Sequence, residues 1–347
     1  MVVPDKDLPF ILRRENTARY EDGCVVLLDR RVYPLEIKFQ RCDTPAAVAR
    51  AISDMVTQGA GPAFAAGFAM AQAARTCKGL SIERSEDILS KAVLELSSAR
   101  PTNKAPFRMA IRMKKIAISA IESGKDAETA CLDHAEYVFD RYFERSKAVG
   151  RHAAEVIGQG DILTHCFAEA MLAEVLLSLG KGRRLIVSET RPYFQGARLT
   201  AKMALDLGIE VMIIPDSAMG SILLEHDVAA LVTAADSVTL DGHVVNKIGT
   251  YLAALAAKAS QVPYFVLCFG PDQNRAGKED VEIEQRPENE LLEISSRRIA
   301  ASGASGYLPA FDVTPPELIT AYITHRGVFE HPAALAAWGM GTAPRED

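Results

Sequence analysis

The sequence contains no C-x-x-C pair, and its six cysteines (Cys24, Cys42, Cys77, Cys131, Cys166 and Cys268) lie far apart. That spacing argues against a zinc site and against a disulfide framework, and it fits a reducing compartment. Excess positive charge is missing too: the formal charge is -6 and the pI about 5.7, which gives no electrostatic footprint for nucleic acid. Local basic clusters such as RMKK (112–115) and KGRR (181–184) read as solvated helix ends and loops. The N-terminal MVVPDKDLPFILRREN has charges interrupting its apolar patches, unlike a signal peptide. The longest apolar run, GPAFAAGFAMAQAA (61–74), is Gly/Ala-rich and short for a bilayer crossing, so it reads as a buried helix. These absences lead to the expectation of a cytoplasmic protein with no metal, membrane or nucleic-acid partner.

What is present is an ordinary globular composition, 48% hydrophobic and 24% charged over 347 residues, enough for one large domain or two smaller ones. Two rhythms divide the chain. Residues 22–40, DGCVVLLDRRVYPLEIKFQ, read as two short strands joined by a polar turn. Helical patterns follow: Thr44 with Pro45 is a plausible helix start, and 62–77, 84–97, 103–122 and 126–157 also favour helix. From 160 onward apolar strands alternate with helices. The candidate strands are 161–166, 184–190, 210–216, 228–236 and 263–268, with helical stretches at 168–179, 195–207, 217–225 and 247–260. The expected fold is therefore α/β. A small β element with a helical bundle occupies 1–158, and a Rossmann-like, doubly wound parallel sheet occupies 159–347. No G-x-G-x-x-G follows the first strand of that sheet, so a dinucleotide site is unsupported.

In such sheets ligands bind beyond the carboxyl ends of the strands. Here those ends carry Cys166, then Thr190 and Arg191, then Asp216, then Asp236. Cys166 could be core filler, or a base or nucleophile whose thiolate the following helix N-terminus stabilises. His165 is its chain neighbour, but adjacent residues on a strand point to opposite faces, which disfavours a Cys-His pair. Asp236 is either a turn carboxylate or a partly desolvated general acid. Asp216 reads as the N-cap of the next helix. Asn246 and Lys247 read as the start of a helix, where a bound anion would offset the unfavourable lysine–dipole placement. Gln195 stands at another helix start, Arg100 in a loop between helices, and Gln58, Gly59 and Ala60 in a Gly-rich turn. Each signal is weak alone; together they are the parts of a site for a phosphate-bearing small molecule.

The segments EDGCVVLLDRRVYPLE, AISDMVTQGAGPAF, ARPTNKAPF, ILTHC, SETRPYFQGARLTA, TAADSVTLDGHVVNKIGTY and PAFDVTPPELITAYITHRGV, in order, resemble the methylthioribose-1-phosphate isomerase family. That family is related to ribose-1,5-bisphosphate isomerases and to the regulatory subunits of translation initiation factor 2B. The resemblance implies an N-terminal helical domain, a Rossmann-like C-terminal domain and a homodimer. It also implies an aldose–ketose isomerisation of a phosphorylated pentose with no metal or organic cofactor. It puts the catalytic pair on Cys166 and Asp236 and the substrate contacts on Gln58, Gly59, Ala60, Arg100, Gln195, Asn246 and Lys247. One motif departs: Gln58-Gly59-Ala60-Gly61-Pro62 replaces the family's Arg-Gly-Ala-Pro, removing a charge expected near phosphate, with Lys104 as a compensator. After the cysteine, Phe167, Ala168 and Glu169 replace the usual Asn and Gly. The implied substrate is a 5-substituted ribose 1-phosphate, methylthio first, with the 5-deoxy and 1,5-bisphosphate sugars as alternatives. A non-catalytic sugar-phosphate sensor or regulatory subunit of the factor 2B type is the competing class.

Overall fold

The computed structural model describes residues 7–99, 104–294 and 296–340. Its chain divides into two units, Met1–Glu144 and Arg145–Asp347.

In the first unit a short helix α1 (Arg14–Thr17) leads into an antiparallel meander of β1 (Arg19–Glu21), β2 (Cys24–Leu28) and β3 (Phe39–Cys42). The two strands expected over 22–40 correspond to β2 and β3, and a third, β1, precedes them. The extra one is polar, and it pairs because Asp22 and Gly23 both take positive φ (50° and 78°), the two-residue turn that matches strand twist. Then come α2 (Pro45–Ser53), α3 (Gly61–Thr76), α4 (Ile82–Ser98), α5 (Ala105–Glu122) and α6 (Ala127–Val156). Thr44 caps α2 as expected, its Oγ1 accepting the Ala47 N–H at 3.1 Å, with Pro45 at the first helical position. The Gly/Ala-rich run becomes α3, buried almost throughout. Its mid-helix Gln72 is pinned to the sheet: Nε2 donates to the carbonyls of Gly23 (3.0 Å) and Cys42 (2.9 Å). The division between units falls inside α6, whereas the expected boundary at 158/159 lies just after that helix ends.

In the second unit the chain runs β4 (Asp161–Thr164), α7 (Glu169–Leu179), β5 (Arg184–Ser188), α8 (Ala201–Asp206), β6 (Glu210–Ile214), α9 (Met219–Glu225) and β7 (Val228–Ala234). It continues with β8 (Ser237–Val238), β9 (Val244–Lys247), α10 (Thr250–Ala259) and β10 (Tyr264–Leu267). A long excursion carries α11 (Asn289–Leu292), β11 (Glu293–Ile294) and β12 (Arg297–Arg298). The chain ends with β13 (Phe311–Thr314), β14 (Ala321–Thr324), β15 (Gly327–Phe329) and α12 (Pro332–Met340).

The main sheet has the order β6-β5-β4-β7-β10-β14-β15, parallel except for β15. From β4 the order grows one way through β5 and β6, then the other way through β7, β10 and β14. That reversal is the mark of a doubly wound sheet, and its switch point lies between β4 and β7. Ile162, Leu163, Leu185, Ile186, Val187, Val232 and Val266 are all fully buried, as strands covered on both faces require. The sixth parallel strand, β14, escaped the strand-by-strand pattern, as did a small antiparallel sheet β13-β9-β8 that lies outside the main sheet.

Candidate functional site

At the switch point the chain leaves β4 through Thr164 and His165 and reaches Cys166 in a left-handed conformation, φ 66°. Thr190, beyond β5, has φ 63°, which is a genuine outlier for a β-branched residue. The two loops hold each other in place. The Cys166 N–H donates to Thr190 Oγ1 at 3.1 Å, Thr190 Oγ1 donates to the Ser188 carbonyl at 3.2 Å, and Thr200 Oγ1 donates to the Cys166 carbonyl at 2.5 Å. Asp216, beyond β6, completes the lock: its carboxylate accepts the N–H of Thr190 (2.8 Å) and of Arg191 (2.7 Å). The expected helix-capping role of Asp216 is therefore corrected. No side chain caps that short helix, because the carboxylate turns back to the strained Thr190 loop.

Burial pushes the Cys166 thiol up to about 11, and this corrects the expectation of a thiolate stabilised by the next helix. That helix, α7, begins three residues later at Glu169, and nearby charges partly cancel. Lys247 and the Phe167 N–H favour the thiolate, while Asp236 and Asp216 oppose it. Cys166 rests as a neutral thiol within electrostatic reach of Lys247, Asp236 and Asp216. Asp236 itself is exposed, two residues past the end of β7, with its N–H donating to the Val245 carbonyl at 2.9 Å. The expected partial desolvation of Asp236 is thus corrected: the apolar residues before it belong to the strand, and the carboxylate lies beyond the covered region.

His165 does not pair with Cys166. Its Nε2 donates to the Ile248 carbonyl at 2.8 Å, and its Nδ1 meets Ser188 Oγ at 2.5 Å. Burial lowers its pKa, so the neutral tautomer with the proton on Nε2 fits both bonds. The ring therefore ties the ends of β4 and β5 to Ile248, in the turn that follows Asn246 and Lys247. That turn needs glycine: Gly249 has φ 104°, and a Cβ there would lie 3.0 Å from His165 Nε2.

Asn246 and Lys247 are on strand β9, not at a helix start, because the antiparallel partner β13 extends them (Asn246 opposite Asp312, Lys247 opposite Phe311). Asn246 Nδ2 donates to Thr250 Oγ1 at 3.0 Å, and Thr250 Oγ1 donates to the Lys247 carbonyl at 2.7 Å. The buried Lys247 ammonium donates to the Ala310 carbonyl at 3.0 Å. It also lies 4.8 Å from the Phe311 ring centroid and 5.2 Å from that of Tyr193. Helix α10 is capped from β13 instead: Asp312 Oδ2 accepts the N–H of Gly249 (2.7 Å) and of Tyr251 (3.1 Å). Burial raises the Asp312 carboxyl to about 6, against those N–H groups and Lys247.

Gln195 is buried just before a single π-helical turn, Gly196–Thr200, a feature frequent at functional sites. Its Oε1 has no hydrogen-bond partner among the described residues. In the first unit Gln58 is buried, and its Nε2 donates to the Met55 carbonyl at 3.1 Å. Its amide is thus folded into its own turn, while Gly59 (φ 64°) is exposed and Ala60 half-buried. A guanidinium does lie at this turn: the nearly fully buried Arg30 donates from Nη1 to the Gln58 carbonyl. Lys104, the expected compensator, is exposed at the start of α5, and Arg100 lies outside the described residues.

Cys166, Asp236, Gln195, Asn246 and Lys247 thus belong to the second unit, and Asp236 and Lys247 both act electrostatically on the Cys166 thiol. Pattern reading missed His165 as a strut, Asp312 as a cap, and Arg30, Tyr193 and Phe311. The first sits beside the cysteine, but its contacts depend on loops 23 and 83 residues away. Among the described residues no cluster of three or more His, Cys, Asp or Glu side chains has metal-binding geometry. Likewise, no described helix is long and apolar enough to cross a membrane.

The sequence model of the Initiation factor 2 subunit family matches residues 61–331. The putative methylthioribose-1-phosphate isomerase of Aeropyrum pernix is 37% identical over 336 residues, covering 90% of each chain. The crystal structure of 5-methylthioribose 1-phosphate isomerase from Pyrococcus horikoshii OT3 superposes with a TM-score of 0.82 at 31% identity, covering 97% of both chains. Subunit delta of translation initiation factor eIF-2B from A. fulgidus gives a TM-score of 0.76, also at 31% identity, over 90% of this chain and 95% of that one. With its doubly wound sheet, its switch-point cysteine and a family match over most of its length, the chain belongs to the initiation factor 2 subunit family.

Proposed function

We propose that the chain is an aldose–ketose isomerase converting a 5-substituted ribose 1-phosphate to the corresponding ribulose 1-phosphate, with S-methyl-5-thioribose 1-phosphate as first choice. The observation that carries this reading is the pairing of Cys166 and Asp236 beyond β4 and β7, the two strands that flank the switch point. The isomerase names of relatives that align over nearly the whole chain support it.

The phosphate on C1 blocks the anomeric oxygen, so the ring does not open as a free sugar does. Opening needs a proton on the ring oxygen, and the ketone forms when hydrogen moves from C2 to C1 and the C2 hydroxyl loses its proton. Asp236, an exposed carboxylate beyond β7, handles the oxygen-bound protons. Hydrogen can move in two ways. As a base, Cys166 would take the C2 proton and return it to C1 through an enol. As an uncharged wall, it would shield a direct hydride shift. A thiol raised to about 11 favours the second route, because little thiolate exists at neutral pH. Lys247, Asn246 and Gln195 are the proposed substrate contacts in the second unit. By resemblance alone, Gln58, Gly59, Ala60 and Arg100 join them, as do a homodimer and a cytoplasmic location.

The test is turnover followed by 31P NMR against pentose 1-phosphates that differ at C5: methylthio, deoxy and phosphate. Conversion of the methylthio sugar, with the others slower, is expected. Fast conversion of only the deoxy or bisphosphate sugar would move the substrate assignment. The likeness to the eIF-2B delta subunit favours a second reading, a non-catalytic regulatory sensor. Saturable sugar-phosphate binding with no turnover of any panel member would select it.

A further inference from the structure

The loop after β5 does more than position Gln195. Tyr193 projects from it with its ring centroid 5.2 Å from the Lys247 ammonium, and Phe311 faces the same ammonium from 4.8 Å. The Ala310 carbonyl accepts from it at 3.0 Å. Two electron-rich ring faces and one carbonyl therefore surround the cation, at distances where ring quadrupoles attract it. The Tyr193 ring is also anchored from its far end. Its hydroxyl donates to Glu290 Oε2 on α11 and accepts from Arg286 Nε at 3.0 Å. Arg286 in turn holds Glu290 (2.6 Å) and Glu284 (2.9 Å). Burial and the Glu290 carboxylate raise the Tyr193 pKa, so the hydroxyl keeps the proton that this anchor uses. The backbone closes the same circuit, since the Ala310 N–H donates to the Glu284 carbonyl at 2.8 Å.

We infer that Tyr193 is a positioning residue for Lys247: its ring, clamped by Arg286 and Glu290 of the excursion between β10 and β13, holds the ammonium where it meets an anionic group of the ligand. This rests on the proposed role of Lys247 in substrate binding. Tyr193 itself acts through the lysine and not on the reacting atoms.

Two readouts separate this inference from the functional proposal. The first needs no turnover: the rate of Lys247 acetylation by an N-hydroxysuccinimide ester, followed by peptide mass spectrometry on the full chain. Tyr193→Leu should raise that rate about fivefold or more, while Tyr193→Phe, which keeps the ring, should stay within about twofold of the parent. The second is kinetic. Tyr193→Leu should raise KM for the sugar phosphate about 3- to 30-fold with kcat little changed. In a Lys247→Met background it should add less than about twofold, because the lysine it serves is gone. If Tyr193→Leu does not fold, a series of increasingly fluorinated phenylalanines at 193 keeps the shape while draining the ring quadrupole, and Lys247 acetylation should rise along it. An unchanged acetylation rate, or full additivity with Lys247→Met, would overturn the inference. Absence of turnover by the parent chain would bring down the isomerase reading and leave the acetylation result to decide this one.

Discussion

Titrating the Cys166 thiol separates a resting thiol from a resting thiolate. Its pKa is raised from 9.0 to about 11, which at about 1.4 kcal/mol per tenfold change sets the thiolate back by about 2.7 kcal/mol. At pH 7.5 about three thiols in ten thousand would then be ionised. The assay is iodoacetamide alkylation at the Cys166 peptide, measured by mass spectrometry between pH 6 and 10. The logarithm of the rate should climb with unit slope across the whole range. Lys247→Met should slow alkylation at each pH, since Lys247 is the charged group that favours the thiolate. A plateau reached by pH 8 would refute the reasoning, because it would mean that the loop's N–H groups and Lys247 outweigh burial. A faster rate in Lys247→Met would refute the assigned sign of that interaction.

Other consequences follow from the same geometry. Asp312 is raised from 3.8 to about 6 in the folded chain, so its contribution to stability is complete below pH 4 and is lost as pH rises through 6, a change of about 3 kcal/mol. Asp312→Asn keeps an acceptor for the α10 N–H groups, so denaturant melts between pH 4 and 7 should show a flatter pH dependence than the parent. An identical slope would contradict the assignment. Gly249→Ala forces a side chain into φ 104° and to within 3.0 Å of His165. A loss of about 1–3 kcal/mol in urea unfolding is expected, with turnover reduced as well. Asp236→Asn should cut turnover by at least about a hundredfold, whereas Cys166→Ser, which replaces one uncharged wall by a slightly smaller one, should lower it by less, and both should leave the melting profile nearly unchanged. Full activity in either would remove that residue from the mechanism.

Five strands of the main sheet, β4, β5, β6, β7 and β10, were legible because each is an apolar run bounded by polar turns, and their carboxyl ends named Cys166 and Asp236 without any geometry. The helix starting at Thr44 was equally plain from its cap and proline. Failures arose where long-range pairing overrode local pattern. Asn246 and Lys247 precede a helix in sequence, yet β13, more than sixty residues away, draws them into a strand. The strand Arg19–Glu21 is too polar to stand out and exists through its two-residue turn. Asp216 looks like a cap because aspartate before a helix usually is one, but the strained Thr190 loop offers it two backbone donors. Helix-dipole reasoning about Cys166 failed on magnitude: burial, which a sequence does not display, outweighs the helix. Likewise, Gln58 marks a lost charge in the motif, while the Arg30 guanidinium at the same turn comes from a segment 28 residues earlier.

The central claim, that hydrogen moves from C2 to C1 on a pentose 1-phosphate held beside a neutral Cys166, is tested most directly with S-methyl-5-thioribose 1-phosphate deuterated at C2. NMR of the product should show the ribulose 1-phosphate with deuterium retained at C1. Recovery of unchanged sugar after prolonged incubation would contradict the isomerase account, and full washout of the label into water would contradict the neutral-thiol route within it.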